Sequence, residues 1–394
     1  MNHKVKVLLV GNYAPDQQES MQRFSNVLLH HLPATGVAAE LLRPQPVWAR
    51  GLARPHGLGK WLGYMDKLVW FPLTLKQRIV NATAERLVVH ICDHSNAIYT
   101  KYLTRTKHLV TCHDMLAIRS GAGLIPENRT SRTGRIYQQL ILSGLKKSGY
   151  VACVSKATQT DLVETTGLSL KRTRVIYNGL NFEYFPVLEV DAVPLIRKVC
   201  PMLVAGERGS SVLRPYIVHV GGNQWYKNRL GLLRAYHKLV KIMPRCPLLV
   251  MVGKPLDSAM REFLQANGLE HLVLEVTRCG NETLRALFSM ASTMLFPSLM
   301  EGFGWPIIEA QACGCPVVTT DRPPMTEVGG SAAVYINPRN YSDFAQKIKD
   351  LLLESVQERD RRAKESLLNA SLFSTDAMVA GYAALYEELL TCVE

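Results

Sequence analysis

MLFPSLMEGFGWPIIEAQACGCPVVTTD spans residues 294–321. Met294–Phe296 reads as a strand, and Ile307–Cys313 reads as a helix. Pro306 opens that helix, where a missing N–H costs nothing, and Gly314 closes it. Val317–Thr319 is the next strand. A strand, a crossover helix and a strand within one short stretch mark a parallel sheet, because parallel neighbours need a crossover between them.

The same alternation runs along the chain. In the first half, strands are expected at Lys4–Gly11, Val37–Leu42, Arg86–Cys92, Lys107–Cys112, Tyr150–Val154 and Arg174–Tyr177. In the second half they are expected at Tyr216–Gly221, Leu248–Gly253, Leu272–Val276, Met294–Phe296, Val317–Thr319 and Ala333–Ile336. Runs such as VKVLLV, YIVHV and LLVMV are apolar throughout, as strands buried on both faces are. The fold class that follows is α/β, with two Rossmann-like, doubly wound parallel-sheet domains. The expected domains are 1–190 and 191–370, with the joint between Pro186 and Pro215 around the loop-like GERGSS. A helix at 371–394 follows, with Ser374 as N-cap and Met378, Tyr382, Leu385 and Leu389 at helical spacing. Ligands of such sheets bind beyond the carboxyl ends of the strands, so the default site is the cleft that the two domains face across.

The 394 residues are 47% hydrophobic and 20% charged, an ordinary globular composition. No run approaches the ~18 apolar residues of a membrane span, and the short apolar run before Gly11 reads as a first strand, not a leader. Nine cysteines are scattered, and Cys313 and Cys315 lack a second pair for a zinc site, so reduced thiols in a cytoplasmic protein are expected. The net charge of +13 is uneven: residues 1–190 hold 24 Lys and Arg against 12 Asp and Glu. That asymmetry points to an anionic partner. A nucleic-acid partner is excluded for want of a recognition module.

The informative residues sit just after strands. Gly302, Phe303 and Gly304 lie at a helix N-terminus, where N–H groups and the helix dipole favour an anion. Glu301 precedes that helix and Glu309 lies about a turn inside it, placed to accept hydroxyls on either side of a bound phosphate. The plainer reading is that both glutamates only oppose the dipole. In VHVGGNQWYKN, Gly221 and Gly222 end a strand and Lys227 ends the loop, where it can act as a point charge on a diphosphate or stand as a surface lysine. His113, with Asp114, follows the fourth strand, as hydrogen-bond donor, acid/base or structural residue.

Taken together these pieces resemble the glycosyltransferases of family 4, which have the GT-B fold, over nearly the whole chain. The most specific match is SLMEGFGWPIIEAQACGCPVVTTD, with Glu301 and Glu309 at the ends of a Glu, seven residues, Glu pattern. PMTEVGG, VSKATQTDL, VIYNGLNFEYF and the closing aromatic helix extend it. The resemblance implies a retaining, metal-independent hexosyltransferase with no cofactor beyond its nucleotide-diphosphate-sugar donor, the sugar being a hexose such as mannose or glucose. The acceptor would be a saccharide or lipid-linked saccharide of cell-envelope polysaccharide or lipopolysaccharide synthesis. It implies that Glu309 holds the ribose, Glu301 faces the transferred sugar, and the N–H groups of Phe303 and Gly304, with Gly302, take sugar or phosphate oxygens. Lys227, beside Gly222, would stabilise the leaving diphosphate. His113 would sit beside the donor sugar, Gly11 near the sugar-phosphate, and the loops of Gly253 and Val276-Thr277 near the base. The chain departs from the pattern at Gly222, where many members carry an arginine; Arg229, Lys254 or Arg278 are candidates to compensate. It departs again in GNYAPDQQES, where Asn12, Gln17, Gln18 and Ser20 stand in the region that commonly faces the acceptor.

KWLGYMDKLVWFPLTLK (60–76) reads as an amphipathic helix broken by Pro72, either a packing helix or a surface for an anionic membrane. Arg129, Arg132 and Arg135 recur at spacing three. The expected location is the cytoplasm, with the inner membrane face as a contact for the basic half. Two other functions remain open at this point: a nucleotide-sugar epimerase of the same architecture, and a catalytically silent nucleotide-sugar binder.

Overall fold

The structure is a computed structural model, and it describes residues 5–50, 58–82, 86–206 and 212–391. Two compact units emerge: the chain up to Asn181 together with the residues from Thr375, and Phe182–Ser374.

The first unit contains β1 (Lys6–Val10), β2 (Ala38–Leu42), β3 (Leu87–Ile91), β4 (His108–Cys112), β5 (Tyr150–Cys153) and β6 (Thr173–Val175). They form one sheet in the order β2-β1-β3-β4-β5-β6, parallel throughout. Central β4 is buried at all five positions, which is why HLVTC carries no charge. Edge strand β2 is half covered, and its Glu40 reaches Arg78 at 2.7 Å.

The second unit opens with an antiparallel pair, β7 (Val204–Ala205) and β8 (Val212–Leu213), that hydropathy did not announce. Two-residue strands are too short to show a period, and the GERGSS stretch between them lies outside the described residues from Glu207 on. β9 (Tyr216–Gly221), β10 (Leu248–Gly253), β11 (Val273–Val276), β12 (Thr293–Phe296), β13 (Val317–Thr320) and β14 (Val334–Ile336) follow. They form a second parallel sheet, ordered β11-β10-β9-β12-β13-β14. All twelve expected strands are therefore present as two six-stranded parallel sheets. Lys4, the expected start of the first strand, lies outside the described residues.

Two local expectations change. The helix after β12 runs Trp305–Ala312, with Pro306 inside its first turn rather than opening it. Pro72 does not break the 60–76 stretch. Helix Leu58–Met65 passes through a π-helical turn, Asp66–Trp70, into helix Phe71–Asn81, and Pro72 falls in the first turn of that last segment. The wider π turn changes the hydrogen-bond register just where proline lacks an N–H.

The last helix, Thr375–Thr391, packs within the first unit. Tyr382 and Tyr386 are wholly buried there. His90 lies 2.7 Å from both the Tyr386 hydroxyl and Thr111 Oγ1, and Thr111 Oγ1 lies 3.0 Å from the Tyr382 hydroxyl. Ion pairs Arg86–Glu387 and Arg174–Glu388 fix its outer face.

Candidate active site

In the second sheet the chain moves outward one way through β9, β10 and β11, then returns to place β12 on the other side of β9. A crevice opens at such a reversal. Here β9 and β12 pair only at Ile217–Thr293 and Val218–Met294. Beyond that point the His219 ring spans the gap, donating from Nδ1 to the Leu295 carbonyl at 2.9 Å. Because the carbonyl can only accept, Nδ1 carries the proton. Burial, helped by Arg229 and Lys227 and opposed by the Leu295 hydrogen bond, brings the His219 pKa down to about 3, so the ring stays neutral.

The turn after β9 and the loop after β12 meet over this crevice. Leu299 N–H donates to the Tyr226 carbonyl at 2.7 Å, and Asn228, in the left-handed conformation at φ 53°, donates from Nδ2 to the Pro297 carbonyl at 3.2 Å. Between them Lys227 Nζ lies 2.6 Å from Glu301 Oε1, with the two side chains 16% and 11% exposed. The ammonium also sits 5.2 Å from the centre of the Phe296 ring. Sequence reasoning singled out both residues but did not pair them.

Gly304, at φ 105°, turns the chain into helix Trp305–Ala312, a conformation that a side chain would strain. Phe303 anchors the turn, its ring 6.2 Å from Trp305 and 5.8 Å from Phe373. Glu309 is buried on the helix. Behind it Gln311 donates to the Gly329 carbonyl at 2.9 Å and accepts from Asn369 at 2.7 Å. Thr319 and Thr320, ending β13, donate to the carbonyls of Phe296 and Ser298 at 2.8 and 2.9 Å, fixing the loop that carries Glu301.

At Gly222 a side chain would begin 2.5 Å from the Gln224 carboxamide oxygen, so Gln224 fills the space beside this glycine. Of the three candidate substitutes, Lys254 and Arg278 are exposed. Arg229 is buried, and its Nη1 donates to Asn223 Oδ1 and to the Lys254 carbonyl. Its Nε and Nη2 are buried without a partner. Gly253 stands where a Cβ would meet the Gly221 carbonyl oxygen at 2.3 Å, so β9 and β10 end in backbone contact.

The first unit has its own reversal, between β1 and β3. Gly11 and Asn12 follow β1, and Asp93 and His94 follow β3. Asn12 is buried and donates to Asp93 Oδ2 and to the exposed Gln18. Burial alone would raise the Asp93 carboxyl, but His94 and His113 beside it, with hydrogen bonds from Ser95 and Asn12, hold it below the usual carboxylate range. His113 donates from Nε2 to the Cys92 carbonyl at 2.8 Å, which leaves Nδ1 as a buried acceptor with no partner. Burial lowers its pKa, against the opposing pull of Asp93 and the Cys92 hydrogen bond. Gln17, at φ 53°, and Ser20 are exposed. Asp93 and His94 were missed by sequence reasoning, although they obey the rule that found His113: polar residues directly after a buried strand. Among the described residues no group of three or more His, Cys, Asp or Glu is arranged to hold a metal ion.

Two family models match the chain: Glycosyltransferase Family 4 over residues 21–184 and Glycosyl transferases group 1 over residues 207–367. The chain belongs to the group 1 glycosyl transferases. The second match contains Lys227, Glu301 and Glu309, and the first contains Asp93 and His113. Curated relatives of this glycosyl transferase include O-antigen chain mannosyltransferase B of Escherichia coli, 24% identical over 63% of each chain. The O-antigen chain mannosyltransferase RfbU of Salmonella typhimurium is 26% identical over 55% of each chain. The match thus spans less than two thirds of these relatives' own length. HepE of Anabaena, solved with UDP and glucose, superposes with TM-score 0.69 at 17% identity over 97% of this chain and 99% of its own. That likeness is one of fold.

Proposed function

We propose that this protein is a glycosyltransferase that moves a hexose, mannose or glucose, from a nucleotide-diphosphate sugar to a saccharide or lipid-linked acceptor of envelope polysaccharide. The observation that carries the reading is the Lys227–Glu301 pair beside the Gly304 turn, at the reversal of the second sheet. The O-antigen mannosyltransferases support mannose, and UDP with glucose in the HepE complex supports the glucose alternative.

Transfer breaks the bond between the anomeric carbon and the diphosphate oxygen, and charge develops on the diphosphate. Lys227 and the N–H groups of Gly302–Gly304 stabilise that charge in a half-buried site, where such donors count for more than in water. Glu309 takes the ribose hydroxyls and Glu301 the sugar hydroxyls. Gly222 follows β9 and Gly253 ends β10, on the donor side of the sheet. Arg229 braces the turn from beneath, and Lys254 and Arg278 lie on the loops that meet the base. In the first unit His113 Nδ1 accepts from a substrate hydroxyl. Gly11 lies by the sugar-phosphate, and Asn12, Gln17, Gln18 and Ser20 form the acceptor side. Retention of anomeric configuration and independence of metal are part of the same proposal.

The first unit also exposes Trp48, Trp61, Trp70 and Leu73, at 55%, 65%, 45% and 59%. Tyr64 meets Tyr137 at 5.7 Å, which joins this face to the helix carrying exposed Arg132 and Arg135. Tryptophans beside arginines fit an anionic membrane surface, the place of a lipid-linked acceptor. No helix among the described residues is long and apolar enough to cross a membrane.

Thermal shifts against UDP, GDP, ADP and their sugar conjugates test the donor site. One nucleotide should stabilise the wild type by ~2.7 kcal/mol at about 100 times its Kd, and Lys227→Ala should lose most of that. Silence from every nucleotide would count against donor binding by the free protein. Product formation in EDTA and the anomeric proton coupling of the product test metal independence and retention.

A further inference from the structure

We infer that Glu301 makes the donor site select the nucleotide sugar over the bare nucleoside diphosphate, by competing with the diphosphate for Lys227. The inference rests on the donor-site reading above.

The ammonium that the diphosphate needs is already engaged. Lys227 Nζ and Glu301 Oε1 lie 2.6 Å apart, and both side chains are mostly shielded from water. The backbone on both sides of the pair is held in place. Lys227 ends a short 3-10 turn whose next residue, Asn228, is tied to the Pro297 carbonyl. Glu301 follows a loop fixed by Leu299 to Tyr226 and by Thr320 to Ser298. A diphosphate that takes the ammonium therefore leaves a shielded carboxylate without its cation. Leaving a shielded charge unpaired is costly.

A nucleotide sugar repairs that loss, because the hexose brings hydroxyl donors to the freed carboxylate. A nucleoside diphosphate has no hydroxyl there. Lys227 and Glu301 thus exchange partners together when the whole donor binds, and the exchange is incomplete for the product. Once the hexose has left on the acceptor, the carboxylate regains the lysine and the nucleoside diphosphate is displaced. The pair acts as an ejector for the product as well as a selector for the substrate. Phe296, its ring centre 5.2 Å from Nζ, gives the ammonium a favourable face beside Glu301.

The test is isothermal titration of the wild type, Glu301→Gln, Lys227→Ala and the double variant, each with the preferred nucleoside diphosphate and with its sugar conjugate. Glutamine keeps the shape and removes the charge. Glu301→Gln should bind the nucleoside diphosphate about tenfold tighter, the scale of a shielded charge pair, and should bind the sugar conjugate more weakly. In the Lys227→Ala background the same substitution should no longer tighten the nucleoside diphosphate. Unchanged or weaker diphosphate binding by Glu301→Gln would overturn the competition. Tightening that persists without Lys227 would also overturn it, since it would mean direct repulsion by the carboxylate. Failure of the wild type to bind any nucleotide would instead overturn the donor-site reading.

Discussion

At the scale of single residues, Lys227 carries the clearest expectation. Removing a preorganised donor from a developing negative charge typically costs about 2.7–4 kcal/mol, or roughly 10²–10³ in rate. Lys227→Ala should lower kcat by that range with the fold intact, read as steady-state transfer alongside a thermal melt. A fall below threefold would remove Lys227 from the chemistry. The sequence exposed His113 directly after a strand, and Lys227, Glu301 and Glu309 in or just beyond glycine-bearing loops that follow strands. It did not reveal that Lys227 and Glu301 touch, since that contact joins residues 74 apart and depends on β9 and β12 lying side by side. Nor did it reveal the burial of Arg229, because a basic residue opening a helix reads as exposed until the loop after β10 closes over it. Asp93 and His94 were within reach and were overlooked, although ICDHSN follows a buried strand just as CHDM does.

At the scale of elements, strands were the most legible, because a strand buried on both faces must be apolar for its full length. The π turn was not: Pro72 normally signals a helix end, and only a change of hydrogen-bond register lets the helix continue past it. The β7–β8 pair was too short for any pattern. Gly253 offers an elemental test. It adopts φ 123°, and a Cβ there would lie 2.3 Å from a carbonyl oxygen on β9. Gly253→Ala should therefore destabilise the second unit by about 2 kcal/mol or more, seen as a lower urea midpoint. An unchanged midpoint would mean the strand ends separate freely.

At the scale of the whole molecule, buried histidines set a pH limit. Burial holds His90 and His219 near pKa 3, while an unfolded histidine titrates near 6.5. Below pH 6.5 the unfolded chain takes up protons that these two folded residues refuse. The stability they contribute is complete above 6.5 and is lost as pH falls toward 3. Each contributes a slope of up to about 1.4 kcal/mol per pH unit. Urea midpoints between pH 7 and pH 5 should drop steadily; a flat profile would mean that the rings reach water. His90 loses its neutral partners Tyr386 and Thr111 on unfolding, so acid should loosen the last helix with the rest of the first unit.

The last helix has a consequence for how such a chain can be divided. The first unit is assembled from two separated stretches, with the whole second unit inserted between Asn181 and Thr375. A single cut cannot release either unit as a self-sufficient piece. A fragment ending near residue 181 would keep both sides of the His90–Thr111 pair but lack the tyrosines that roof it. Exchange of the second unit among such proteins therefore needs two crossovers, one at each seam. A graft that honours both, near 181 and 374, should fold where a graft at one does not.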